Sequence, residues 1–241
     1  NIILIFTDDQ GYADLGCYGS VQIKTPKIDR LAAEGTRLTD FYAQPVCTPS
    51  RAALMTGCYP QRVSMGLMPN GETGELKDGV LFPTSKCGIN SNEITIAQLL
   101  KGKGYATGCI GKWHLGHLPP FLPTRHGFDY YFGIPYSNDM KPSPLMRGEE
   151  VLEEPADQDS LTERYTDEAV RFIHEHKEKP FFLYLPHNMP HVPLHASEKF
   201  KGKSGGGFYG DVIECIDWSV GKVVEAVKDA GIEKDTLIIY T

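Results

Sequence analysis

No apolar run in this 241-residue chain is long enough to cross a bilayer, so the sequence offers no transmembrane segment. The opening run, residues 1–6, lacks a basic flank and a cleavage site, and does not read as a signal peptide. There is no basic block either. Lys and Arg total 24 against 31 Asp and Glu, a net charge of −7 that argues against nucleic acid as a partner. No internal repeat and no clean domain boundary are visible. Six cysteines, at 17, 47, 58, 87, 109 and 215, show no metal-like spacing, and any disulfide pairing among them stays open. Cys109 falls in an apolar run and reads as a free thiol.

What is present is ordinary globular material: 41% apolar and 23% charged residues, in a chain long enough for one large domain with a substantial core. Nearly continuous apolar runs at 1–6, 105–110, 181–185 and 235–241 read as strands covered on both faces. Between them lie helical patterns: 25–35 with Thr25 as N-cap, 94–103, 160–177 opened by a Ser160-to-Glu163 capping box, and 209–230. Alternation of this kind predicts an α/β fold with a largely parallel sheet and helices on both faces. The Gly- and Pro-rich stretch 67–92 and the acidic stretch 142–159 read as long surface loops.

Polar groups cluster just past the strands and at one helix start. Cys47-Thr48-Pro49-Ser50-Arg51 opens a helix that runs on through Ala52, Ala53, Leu54 and Met55 and stops at Gly57, with Pro49 suiting its first position. That places Cys47 at the positive end of a helix dipole with Arg51 one turn along, a setting that favours anions. Asp8-Asp9 ends the first strand; two adjacent carboxylates there call for a cation or a proton, and hard oxygens favour Ca²⁺ or Mg²⁺ unless the pair is a solvated turn. Gly111-Lys112-Trp113-His114-Leu115-Gly116 follows the second strand, with Lys112 and His114 on one side of an extended segment. Gly127 to Gly133 leads to Tyr136-Ser137, and His187-Asn188-Met189-Pro190-His191 follows the 181–185 strand.

Together these motifs, in this order along all 241 residues, resemble the type I sulfatases, in the arylsulfatase A-like branch of the alkaline phosphatase superfamily. The resemblance implies an alkaline phosphatase-like fold and a sulfuric ester hydrolase that releases inorganic sulfate. It implies that Cys47 is oxidised to formylglycine by a formylglycine-generating enzyme, and that the hydrate attacks sulfur. By the same resemblance Asp8 and Asp9 hold Ca²⁺, Arg51 stabilises the hydrate, and Lys112 and Ser137 contact the sulfate. His114 orients or deprotonates the hydrate's second hydroxyl, and His191 protonates the leaving oxygen. His187 has no firm counterpart and reads as a loop brace, and His195 falls outside the immediate site. Residues 1–241 would be the amino-terminal part of the catalytic domain, with an Asp-Asn-Gly segment expected after Thr241. The expected substrate is a sulfated small molecule or glycan, and the expected location is secreted, periplasmic or lysosomal. Two alternatives remain: a formylglycine-dependent phosphonate monoester or phosphodiester hydrolase, and a dormant homologue that binds sulfated glycans.

Overall fold

The computed structural model describes residues 1–66 and 79–241. Seven strands make one sheet in the order β5-β4-β3-β2-β6-β1-β7. They are β1 (Ile2–Phe6), β2 (Ala106–Ile110), β3 (Tyr130–Gly133), β4 (Leu145–Arg147), β5 (Glu150–Glu153), β6 (Phe181–Pro186) and β7 (Leu237–Tyr240). The five strands from β3 to β7 across the centre pair in parallel, and only β3–β4 and β4–β5 are antiparallel. Among the described residues five α-helices accompany the sheet: α1 (Pro26–Glu34), α2 (Cys47–Thr56), α3 (Ile96–Lys101), α4 (Leu161–His176) and α5 (Gly207–Asp229).

The apolar runs are continuous because both faces are buried. Ile3 and Ile5 of β1, with Phe181, Leu183 and Leu185 of β6, pack beneath α4 and α5. Leu4, Phe182, Tyr184 and Cys109 point the other way, into a second core with Ala52 and Met55 of α2 and Ala97 of α3. Alternate residues of a strand face opposite sides, so a two-faced sheet needs apolar residues at every position.

Several local expectations shift. The 94–103 pattern yields only the six residues of α3, opened by Thr95, whose side chain accepts the Gln98 N–H. Ser160 does not cap α4; its hydroxyl donates to the Asp157 carbonyl instead. Thr25 precedes α1, but its hydroxyl bonds Gly16 and Asp29, and the free N–H groups of Lys27 and Ile28 donate to Asp217 of α5. A cap supplied from so far along the chain leaves no local signal. Pro49 lies third in α2, which starts at Cys47 itself. The acidic stretch 142–159 is not a plain loop, since it holds the β4–β5 hairpin, whose short strands carry no long apolar run. Of the 67–92 stretch, residues 67–78 lie outside those described; beyond them Leu81 and Ile89 are buried in the second core rather than displayed on the surface.

One close approach sets the position of everything at the carboxyl edge. Gly111 sits at φ +134, where a Cβ would lie 2.0 Å from the Pro186 carbonyl oxygen. Gly111→Ala should therefore force β2 from β6 and destabilise the protein by more than about 1 kcal/mol. A urea titration reads this directly, and an unchanged midpoint would show that the two strand ends separate freely.

Candidate active site at the carboxyl edge of the sheet

The candidate residues leave the carboxyl ends of the parallel strands, where α/β sheets place ligands. Beyond β2 the chain stays extended and is stitched on both sides. Gly111 N–H donates to Phe132, Lys112 N–H to Pro186, Trp113 N–H to Ile134 and His114 N–H to Pro135. Trp113 and Leu115 turn into the second core, and the Trp113 indole donates to the Phe121 carbonyl at 2.8 Å. Lys112 and His114 face away from that core, although His114 takes a left-handed backbone at φ 57. Both are fully buried.

Asp8 is the hub. Lys112 Nζ donates to its Oδ2, and Arg51 Nη2 stands 3.6 Å from the same oxygen. Arg51, itself fully buried in the second turn of α2, also donates from Nη1 to the Lys112 carbonyl at 2.6 Å. Burial works to raise the Asp8 carboxyl, but Lys112, Arg51 and the Lys112 hydrogen bond prevail and hold it at about 2. Lys112 Nζ reaches one further oxygen, the Ser137 hydroxyl, at 3.0 Å.

Cys47 is the first residue of α2, with Val46 as N-cap. The helix end, Lys112 and Arg51 all favour a thiolate, yet burial outweighs them and pushes the Cys47 thiol up. As a thiol it is therefore a poor nucleophile at neutral pH. His114 lies beside it. Burial and the Lys112 charge drive the imidazole well below its ordinary value, so the ring is neutral. Its Nε2 meets the Leu81 carbonyl at 2.8 Å, and a carbonyl only accepts, so Nε2 carries the proton. Nδ1 is left as a lone pair, buried and without a partner among the described residues. Thr48 secures the backbone here: its hydroxyl donates to the His114 carbonyl at 3.1 Å and accepts the Leu81 N–H.

His191 closes the far side. Its Nδ1 donates to the Val192 carbonyl at 2.5 Å, which leaves Nε2 3.7 Å from Asp9 Oδ2. Cys47, His114, Ser137, His191 and Asp9 all line one cavity of ≈ 160 Å³, walled by Val46, Val80, Phe82 and Met140. A larger hollow of ≈ 470 Å³ runs between α1 and α5, but no candidate residue lines it. The smaller cavity is where the chemistry converges.

His187 and His195 lie apart from it. His187 is buried, bonds Ser219 of α5 at 3.2 Å, and is pulled down to about 4 by burial. His195 bonds Asp159 at 2.8 Å. Thr48, Leu81 and Asn138 carry site geometry that motif reading passed over. Thr48 lies inside the Cys47–Arg51 run, but Leu81 acts through its carbonyl, and a backbone group leaves no mark on residue type.

Asp8 and Asp9 offer the hard oxygen donors that Ca²⁺ takes, and Asp8 stays ionised at any physiological pH. Asp9 presents an exposed carboxylate on a left-handed backbone, φ 64. The donor set fits a Ca²⁺ ion in kind but not in number: no group of three or more His, Cys, Asp or Glu suited to a metal occurs among the described residues, whereas Ca²⁺ takes about 6–8 oxygens.

A family model described as Sulfatase matches residues 1–241. Human (Homo sapiens) arylsulfatase A is 39% identical over 273 residues, covering 100% of this chain and 51% of that protein. N-acetylgalactosamine-6-sulfatase of Rattus norvegicus is 40% identical, covering 100% of this chain and 49% of that protein. The chain thus spans about half the length of the curated relatives it matches. Among solved structures, Ps i-CgsB in complex with k-i-k-neocarrahexaose has a TM-score of 0.81 at 36% identity, over 100% of this chain and 57% of that one. The phosphonate monoester hydrolase of Agrobacterium radiobacter has a TM-score of 0.69 at 18% identity, over 100% of this chain and 61% of that one, and shows a shared fold alone.

Because Asp8 is held down, its contribution to stability is present above the ordinary carboxylate range and is lost as pH falls through about 2. The drop from 3.8 to about 2 corresponds to on the order of 2 kcal/mol. We expect Asp8→Asn, compared with the parent by urea unfolding in a chelating buffer, to lack this acid-side loss. Asp8→Ala, which strands two buried cations, should cost about 3–5 kcal/mol. Matching acid limbs for parent and Asp8→Asn would refute the pairing.

Proposed function

The chain belongs to the sulfatase family, and we propose that it carries the nucleophile and sulfate-binding part of a sulfuric ester hydrolase, with residues 1–241 forming the amino-terminal part of the catalytic domain. The observation that carries this reading is Cys47. It sits at the positive end of α2, between two buried cations, with its thiol pushed up rather than down. A cysteine meant to act as a thiolate would show the opposite. Conversion to formylglycine accounts for the mismatch: its hydrate supplies a hydroxyl that attacks sulfur and a second that lets the aldehyde re-form.

The surrounding groups support the steps. A sulfate ester presents oxygens that need positive charge and hydrogen bonds as the ester bond breaks. Lys112 Nζ and the Ser137 hydroxyl, already in contact, hold those oxygens. Arg51, fixed between Asp8 and the Lys112 carbonyl, keeps positive charge one turn along from Cys47. The His114 lone pair on Nδ1 accepts the proton of the hydrate's second hydroxyl. His191 in its imidazolium form, with Nδ1–H kept on the Val192 carbonyl, delivers its Nε2 proton to the leaving oxygen and is left neutral. Asp8 and Asp9 would hold a Ca²⁺ ion, whose charge would help to neutralise the sulfate oxygens.

The substrate class is a sulfate monoester of a small molecule or glycan; a glycan accords with the neocarrahexaose bound in Ps i-CgsB. Maturation would require a formylglycine-generating enzyme. A secreted, periplasmic or lysosomal location is part of the same proposal, and no helix among the described residues is long and apolar enough to cross a membrane.

The test is a mass spectrum of the tryptic peptide 38–51 from the full-length protein made with its maturation machinery. Loss of sulfur and gain of an aldehyde oxygen at residue 47 is expected; an unmodified Cys47 beside a matured control protein would favour a binding homologue. Cys47→Ala should abolish turnover. Cys47→Ser should accumulate a sulfated serine after substrate exposure, because a serine ester has no second hydroxyl with which to expel sulfate.

A further inference from the structure

Ser137 and His191 both line the cavity, on segments far apart in sequence. One side chain joins them. Asn138 is 2% exposed. Its Nδ2 donates to the Pro193 carbonyl at 3.1 Å and to Gln158 Oε1 at 3.1 Å, while Gln158 Nε2 donates back to the Asn138 carbonyl at 2.9 Å. Pro193 lies two residues past His191, and the carbonyl between them, Val192, is the one that holds His191 Nδ1. On the other side Asn138 is locked into a turn in which Met140 N–H donates to the Ser137 carbonyl. The amide orientation is forced, since a carbonyl such as Pro193 can only accept.

The same 3-10 turn, Gln158–Ser160, grips the loop a second time through Asp159 and His195, at 2.8 Å. Within the bracket, Val192 is 64% exposed, while Met189 and Leu194 on either side pack against Val212 and Ile216 of α5. The Asn138 Oδ1 is buried without a partner among the described residues, an expense in stability that an apolar residue would avoid. The amide is therefore better explained by what it orients than by what it stabilises.

We propose that Asn138 is a positioning residue for His191, setting the distance between the leaving-group acid and the sulfate-binding turn; this rests on the reading of His191 as general acid given above. Proton transfer needs heavy atoms within about 2.6–3.2 Å, and a misplacement of about 1 Å lowers rates by roughly 10²-fold. Asn138→Asp keeps the shape but faces the Pro193 carbonyl with an acceptor, so the loop loses the hold nearest His191 while the Asp159–His195 bond remains.

The readout is leaving-group dependence. A poor leaving group, such as the alkoxide of an alkyl or sugar sulfate, needs the acid; 4-nitrophenolate does not. With matured full-length enzyme, Asn138→Asp should lower kcat on an alkyl sulfate by roughly 10–100-fold and on 4-nitrophenyl sulfate by less than about 3-fold, with KM little changed on both. His191→Ala, run in parallel, should show the same split. If His191→Ala shows it and Asn138→Asp slows both substrates alike, or raises KM alone, Asn138 shapes only the sulfate turn and the proposal is overturned. If His191→Ala itself shows no split, the acid reading fails first and this inference falls with it. Should Asn138→Asp not fold by circular dichroism, Gln158→Ala, on a half-buried partner of the same bracket, is expected to give a smaller split of the same sign, and its absence overturns the proposal.

Discussion

A single buried carboxylate is shared by two buried cations at the carboxyl edge of the sheet. Asp8 leaves β1, meets Lys112 past β2, and lies within reach of Arg51 on α2. Two fully buried cations side by side would repel each other and lose their hydration; the shared anion is what makes their burial tolerable. Three elements from distant parts of the chain are thereby held in one arrangement. The Arg51 bond to the Lys112 carbonyl adds direction to what charge alone would leave loose.

The same balance sorts the remaining groups. Near concentrated positive charge a buried imidazole stays neutral, so His114 keeps an accepting nitrogen at Nδ1. Cys47, under the opposing pulls of burial and charge, remains a thiol. These groups favour an anion and leave an acceptor nitrogen on His114, while His191, the proposed proton donor, sits at the rim beside Asp9. Donor and acceptor are separated by environment rather than by residue type.

The scaffold that permits this is tightly constrained where strands part. Gly133 has the Gly111 carbonyl oxygen 1.8 Å from where a Cβ would lie, just as Gly111 has that of Pro186 at 2.0 Å. These close approaches let residues 111–114 hydrogen-bond to segments on both sides beyond the regular ladder. At the opposite wall the constraint is a side-chain bracket, with Asn138 and Gln158 taking the part that backbone ladders take elsewhere.

The strand runs and the α/β class were legible because a two-faced sheet demands apolar residues in sequence, a pattern local enough to read directly. The motif positions Asp8, Cys47, Lys112 and His191 were legible as groups at strand or helix ends, Ser137 only through the resemblance, and the comparisons place the chain in the family those motifs resemble. The β4–β5 hairpin escaped notice because its strands are only three and four residues long. The cap of α1 by Asp217, the hold of Leu81 on His114 and the Asn138 bracket escaped because each joins residues remote in sequence. The chain's own order of residues determined which chemical groups exist and at which element ends they emerge. Only the tertiary structure decided which of them share a charge, which tautomer His114 takes and what holds His191 in place, because charge balance, burial and hydrogen-bond direction depend on distances that no local pattern encodes.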